Sequence, residues 1–187
     1  DHYRSQQASF DRMHDWYAPL TPTGRLLELG HNDGKSVYYL AEEKKDIGSI
    51  DCIDFNESLK PLEPHLRALI PKIDNIWYED CRKIKVPDGH YNTINCIDFY
   101  EHLPTDVYHE SMAECSRVLQ VGGIMAVFFG KGKGPAHPEH INVLPDEQVI
   151  VDMYGHGFKF LDVNGYHRLL IFIKSDPTIK LEPITLP

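Results

Sequence analysis

Apolar positions along the chain fall into short runs separated by amphipathic stretches. Residues 25–30 (RLLELG), 49–55 (SIDCIDF), 75–79 (NIWYE), 91–99 (YNTINCIDF) and 123–129 (GIMAVFF) predict five strands. The last is a continuous apolar run, the pattern of a strand buried on both faces. Residues 35–45, 59–70 and 105–119 carry helical spacing between them. The 59–70 segment is interrupted near its start by Pro61 and Pro64, and Thr105 stands where an N-cap belongs. Strands and helices in alternation, with near-continuous apolar strands, imply a parallel sheet covered on both faces.

The final third changes pattern. Residues 146–155 read as a helix. Residues 158–163 and 167–174 then flank Asn164-Gly165, a strong hairpin signal. The expected fold class is α/β: a Rossmann-like three-layer sandwich whose seven-stranded, mostly parallel sheet ends in an antiparallel hairpin. One domain is expected over 1–187, with its core at 21–174. In residues 1–20, Phe10, Met13, Trp16 and Tyr17 recur at helical spacing, which fits a packed helix or a lid. The tail, 175–187, reads as extended.

Composition narrows the function classes. The 187 residues are enough for one domain with a proper core. A formal net charge of −9 argues against tight binding to a phosphate backbone, so no nucleic-acid partner is expected. Lys131-Gly132-Lys133 reads as a solvated loop. No run is long and apolar enough for a membrane span, and no membrane partner is expected. Cys52, Cys81, Cys96 and Cys115 lie far apart with no C-x-x-C pair. They read as free, mostly buried thiols of a reducing compartment, and a cytoplasmic location is expected.

The chemistry-bearing stretch is residues 24–40, GRLLELGHNDGKSVYYL. Gly34-Lys35-Ser36 looks like the end of a P-loop. That loop needs four residues between its first Gly and the Gly-Lys, so that consecutive N–H groups wrap a phosphate. Only His31, Asn32 and Asp33 lie between Gly30 and Gly34, and Asp33 adds a carboxylate. The dinucleotide fingerprint fails because Asn32 occupies its second Gly position. What remains is acidic-x-Gly-x-x-x-Gly at a strand end.

That segment, ELGHNDG, resembles motif I of the class I S-adenosylmethionine-dependent methyltransferases, with Asn32 where Gly is commoner. Four further segments follow in the family's order. CIDFNESL ends the second strand, YEDCR the third and IDFYEHLP the fourth. RVLQVGGIMAVFF resembles the family's helix–Gly-Gly–strand passage. The resemblance covers residues 24–174 and implies S-adenosylmethionine as cofactor. It implies that Gly30 lets the backbone approach the ligand, with His31 beside it, and that Gly34 packs the next helix. It implies that Glu28 orients the amino-acid end, Asp54 with Phe55 holds the ribose end, and Asp80 with Cys81 meets the adenine amine. Asp98, Phe99 and Glu101 are implied at the methionine end.

The reaction implied is methyl transfer to an O or N atom of a small-molecule acceptor. The alternative is an S-adenosylmethionine-binding protein that does not methylate, or another reaction on the same fold and cofactor. Such transfer needs in-line positioning, exclusion of water and, for some acceptors, a base near neutrality. His102, His137 and His140 are the catalytic candidates, with His31 a further one, and the 130–142 loop is expected to face substrate. His137-x-x-His140 with Glu139, plus His102 or His109, has ligand chemistry but a poorly specific spacing, and no metal is expected. The Asp-Asn pair that the Mg²⁺-dependent catechol-type enzymes place after the fifth strand is missing. So are the [DN]-P-P-[YFW] and Pro-Cys signatures of base- and glutamine-directed enzymes.

Overall fold

The computed structural model describes residues 18–130, 137–164 and 169–178. The expected alternation is present. Strand β1 (Gly24–Leu29) leads to helix α1 (Lys35–Glu43), β2 (Ile47–Asp54), α2 (Glu63–Leu69) and β3 (Ile73–Tyr78). Then come β4 (Tyr91–Ile97), α3 (Thr105–Val118), β5 (Leu119–Phe128), α4 (Asp146–Gly155), β6 (Phe158–Asn164) and β7 (Leu169–Lys174). Short 3₁₀ turns precede α2 (Glu57–Leu62) and α3 (Tyr100–His102). The sheet order is β3-β2-β1-β4-β5-β7-β6. Strands β1 to β5 pair in parallel, while β7 runs antiparallel to both β5 and β6.

The two faces of the sheet carry separate apolar layers. Side chains alternate along each strand, so Leu26, Ile50 and Cys52 meet Val37, Leu40 and Leu66 of α1 and α2. Leu27, Leu29 and Ile53 join the opposite layer, with Tyr108, Met112 and Cys115 of α3 and Val149 and Met153 of α4. Each such side chain, fully buried, stabilises the fold by about 1.5–3 kcal/mol. All four cysteines are free and buried in these layers, as expected.

Several boundaries differ from the sequence reading, each for a local reason. Thr105 does not cap α3: Pro104 takes the N-cap position, its carbonyl accepting from Tyr108 N–H at 2.9 Å, and Thr105 is already helical. The 59–70 segment divides into a 3₁₀ turn through Pro61 and an α-helix that Pro64 opens. Proline suits a first helical turn, where its missing N–H has no partner to lose. Strand β5 begins at Leu119, earlier than the apolar run, with a register irregularity opposite Tyr91 and Thr93. The hairpin pairing is present, but its turn at 165–168 lies outside the described residues, as do the 1–17 segment, 131–136 and the end of the tail. Among the described residues, no helix is long and apolar enough to cross a membrane.

The chain runs outward from β1 to β2 and β3, then returns to place β4 on the other side of β1. The strand order therefore reverses between β1 and β4. In open α/β sheets such a switch leaves a crevice beyond the carboxyl ends of the strands, and several of the candidate residues line it.

Candidate active site

The turn after β1 is built by backbone strain that specific residues tolerate. Gly30 has φ 68° and Gly34 φ 79°, both in the left-handed region. A Cβ on Gly30 would stand 2.5 Å from the Phe99 ring. One on Gly34 would stand 2.3 Å from Leu66, the residue that seats α2 beside the turn. Asn32 also has positive φ, 45°. Asparagine is among the few non-glycine residues that enter this region readily, so its replacement of Gly keeps the turn.

Asp54 locks that turn to the end of β2. Its Oδ2 accepts from the Asn32 N–H at 3.2 Å, and its Oδ1 from the Asn56 N–H at 2.9 Å. The side chain is only 8% exposed. Each carboxylate oxygen has a second acceptor site, so this cap leaves capacity for a pair of ligand hydroxyls.

Two adjoining cavities open here, sharing Asp54, Phe55, Phe99 and Leu103. One, about 350 Å³, is walled by Tyr78, Asp80, Cys81 and Val107, largely apolar with one acidic corner. The other, about 400 Å³, is lined by Gly30, Asn32, Asp98, His102 and Glu139. Both fall within the size range of small-ligand sites. Phe55 is 74% exposed, an uncovered aromatic over the line where the cavities meet. Asp80 is gripped by Arg82, with Nη2 donating at 2.6 Å and Nε at 2.9 Å, and that guanidinium holds its carboxyl below the usual range. Arg82 also reaches Glu110 at 3.1 Å.

Other candidates lie elsewhere. Glu28 lines neither cavity. It is buried beneath the turn, where its Oε2 accepts from Asn95 Nδ2, and Asn95 also donates to Ser36 at 2.9 Å. Desolvation pushes its carboxyl up to about 8, against the hydrogen bonds of Asn95 and Ser36, which lower it. His31 lines neither cavity either. It is 2% exposed, its Nδ1–H donates to the Asn32 carbonyl at 3.0 Å, and its ring meets Tyr78 edge-on. Burial lowers its pKa. Cys81 is buried and its thiol is raised by burial.

At the end of β4, Asp98 has φ 55° and turns the chain back. Glu101 is fully buried: Oε1 accepts from Gly130 N–H, while Oε2 has no hydrogen-bond partner among the described residues. Burial first, then the neighbouring Asp98 carboxylate, push Glu101 up to about 8. Its carbonyl accepts from Ile141 and Asn142 N–H at 2.9 and 3.0 Å, tying the 137–142 segment to the 3₁₀ turn after β4. This brings His140 against His102, ring centroids 4.8 Å apart, and His137 onto His140 at 4.9 Å. Sequence reasoning did not find Arg82, Leu103, Val107 or Asn95. Arg82 had a legible signal, two residues beyond Asp80; the others show only as ordinary positions.

A Rossmann-like sheet with this strand order and an acidic, glycine-hinged crevice defines a nucleotide-type cofactor-binding α/β protein. The methyltransferase domain family model matches residues 27–127, and the chain belongs to that family. Its cofactor is S-adenosylmethionine. No curated protein sequence matches the chain. Among solved structures, the [4+2]-cyclase SpnF is similar at TM-score 0.70 and 16% identity, over 88% of this chain and 81% of that one. The Burkholderia thailandensis 1,6-didemethyltoxoflavin-N1-methyltransferase, solved with 1,6-didemethyltoxoflavin and S-adenosylhomocysteine, gives 0.71 and 14%, over 89% and 79%. The Bacillus subtilis YcgJ protein gives 0.70 and 10%, over 90% and 99%. At these identities the likeness speaks for the fold alone.

Proposed function

We propose that this protein transfers the methyl group of S-adenosylmethionine to an oxygen or nitrogen of a small-molecule acceptor. The observation that carries the reading is the pair of cavities meeting at Asp54, a buried carboxylate already oriented by two backbone N–H groups. Asp54 accepts the ribose hydroxyls. The apolar cavity with Asp80 at its corner takes the adenine, whose amine donates to the carboxylate that Arg82 aligns. Phe55 covers the nucleoside. The methionine end crosses Gly30, where the absent side chain leaves room, and delivers the sulfonium to the cavity lined by Asp98, Phe99 and His102.

The methyl is electrophilic on its sulfonium, so the protein's task is positioning: acceptor and methyl in line at about 3 Å. Phe99 and Leu103 exclude water on that side. His102 lines the cavity and His140 packs behind it. The small-molecule acceptor fits the net charge of −9, which disfavours nucleic acid.

Calorimetry with S-adenosylmethionine and S-adenosylhomocysteine, on native protein and Asp54→Ala, tests the cofactor reading. Binding by the native chain that the substitution weakens sharply is expected; no heat with either compound refutes it. Turnover with labelled methyl donor on a metabolite panel tests transfer. Similarity to a cyclase supports a second reading, the same cofactor site serving another reaction. Tight cofactor binding with no labelled acceptor formed would favour it.

A further inference from the structure

We propose that Asp98, Glu101, His102 and His140 form a binding site for one divalent transition-metal ion at the rim of the acceptor cavity. Each offers one donor atom, and all four donors lie within 4.8 Å of one another. Donors across an ion stand at most about 4.4 Å apart, twice a bond of about 2.0–2.2 Å. Neighbouring donors in a tetrahedral site stand closer still, about 3.4 Å apart, so binding requires these donors to draw in around the ion.

A second observation points to a ligand. Glu101 Oε2 is fully buried with no hydrogen-bond partner among the described residues. Such an atom carries a desolvation cost of about 1–3 kcal/mol that an ion would remove. The space at the cluster is kept by Gly130, whose hypothetical Cβ would strike Glu101 Oε1 at 2.2 Å, His140 Cε1 at 2.9 Å and Asp98 Oδ1 at 3.1 Å. Two segments distant in sequence supply the set: the stretch from Asp98 through the 3₁₀ turn at Tyr100–His102, and the 137–142 segment held by the Glu101 carbonyl. A loop that places a histidine against two carboxylates by backbone hydrogen bonds is a rigid support for coordination.

The alternative grouping, His137, Glu139 and His140, shares one ligand. It is the weaker one, because His137 and Glu139 are exposed and already lie 3.4 Å from each other. Two imidazoles with two carboxylates suit Mn²⁺, Fe²⁺, Co²⁺ or Zn²⁺, whereas Mg²⁺ prefers oxygen ligands and water.

The inference deepens the methyl-transfer reading and rests on it for its role. Asp98 and His102 line the cavity expected to take the acceptor, so the ion would bind an acceptor oxygen there. A hydroxyl on such an ion loses its proton to solvent more readily. Its oxygen then forms the O–CH₃ bond as the S–CH₃ bond breaks, and the bonding pair goes to sulfur, leaving the neutral thioether. This favours an oxygen acceptor.

The test separates the metal from the cofactor. Chelator-stripped protein is dialysed against Mn²⁺, Zn²⁺ or Mg²⁺ alone, and bound metal is counted by elemental analysis; cofactor binding is measured separately without metal. The proposal expects one equivalent of Mn²⁺ or Zn²⁺ in preference to Mg²⁺. His140→Ala and Glu101→Gln should each weaken it by more than the about 10–100-fold typical of losing an outer-shell partner. His137→Ala, and His109→Ala in the separate His109–His156 pair, should leave it unchanged. His102→Gln provides a third ligand substitution should either of the buried ones unfold. No stoichiometric binding by folded native protein overturns the proposal, as does binding that survives the ligand substitutions or is lost with His137. Cofactor binding in metal-free protein, measured in the same samples, shows whether the methyl-transfer reading stands independently.

Discussion

Replacing Glu28 with Gln should remove a pH-dependent cost that the native carboxyl imposes on folding. Glu28 is 1% exposed between β1, β4 and α1, and desolvation moves its carboxyl from the ordinary 4.5 to about 8. Below pH 4.5 the group is neutral in folded and unfolded chains, and Glu behaves like Gln. Above 4.5 the unfolded chain ionises while the folded one keeps its proton until about pH 8. Folding therefore loses stability through that window, by about 1.4 kcal/mol per pH unit and about 5 kcal/mol at the ceiling. Relaxation and water entry lower such penalties; half the ceiling, about 2.5 kcal/mol, corresponds to about 5–10 °C in Tm for a domain of this size. Gln keeps the acceptor that Asn95 uses and replaces the other oxygen with an uncharged amide. The assay is thermal and urea unfolding of cofactor-free native and Glu28→Gln protein at pH 5 and pH 8. The Gln advantage should be small at pH 5 and grow towards pH 8. A difference that stays flat, or shrinks, as pH rises would mean that Glu28 ionises in the folded state and refute the reasoning.

Asp54→Ala removes two charge-assisted caps as well as the proposed ribose contact. It should lower stability by about 1–3 kcal/mol and cofactor affinity by far more than Phe55→Ala, both read by calorimetry with parallel melts. Phe55→Ala should leave Tm unchanged, since the ring is 74% exposed, while weakening cofactor binding. Gly30→Ala places a methyl 2.5 Å from the Phe99 ring in a left-handed residue. It should cost about 1–2 kcal/mol from backbone strain alone, more from moving Phe99, and abolish cofactor binding; native-like binding would mean that the ligand does not cross this turn. Tyr91→Phe removes the buried bond to Asp51 Oδ2 at 2.9 Å and should destabilise by about 1 kcal/mol in urea unfolding.

The sheet was legible in the chain because its central strands are largely buried, and β5 in particular reads as an unbroken apolar run. The terminal strand pair was legible because two strand-like runs follow each other with turn-forming residues between them. Gly30, Asp54 and Asp80 could be placed at strand ends by spacing alone, since a strand end and its turn are local. What the linear pattern did not carry was which side of the turn each polar group faces. Glu28 and His31 flank the same motif as Gly30, yet alternation along β1 and the tight turn bury both below the cavities. Nor did it carry the Glu101 carbonyl capturing residues 141 and 142, which brings His140 to Asp98, Glu101 and His102 from nearly forty positions away. Local pattern fixes elements because backbone preferences and burial repeat over a few residues. Convergence of donors at one point depends on long-range hydrogen bonds and packing, which only the folded chain supplies.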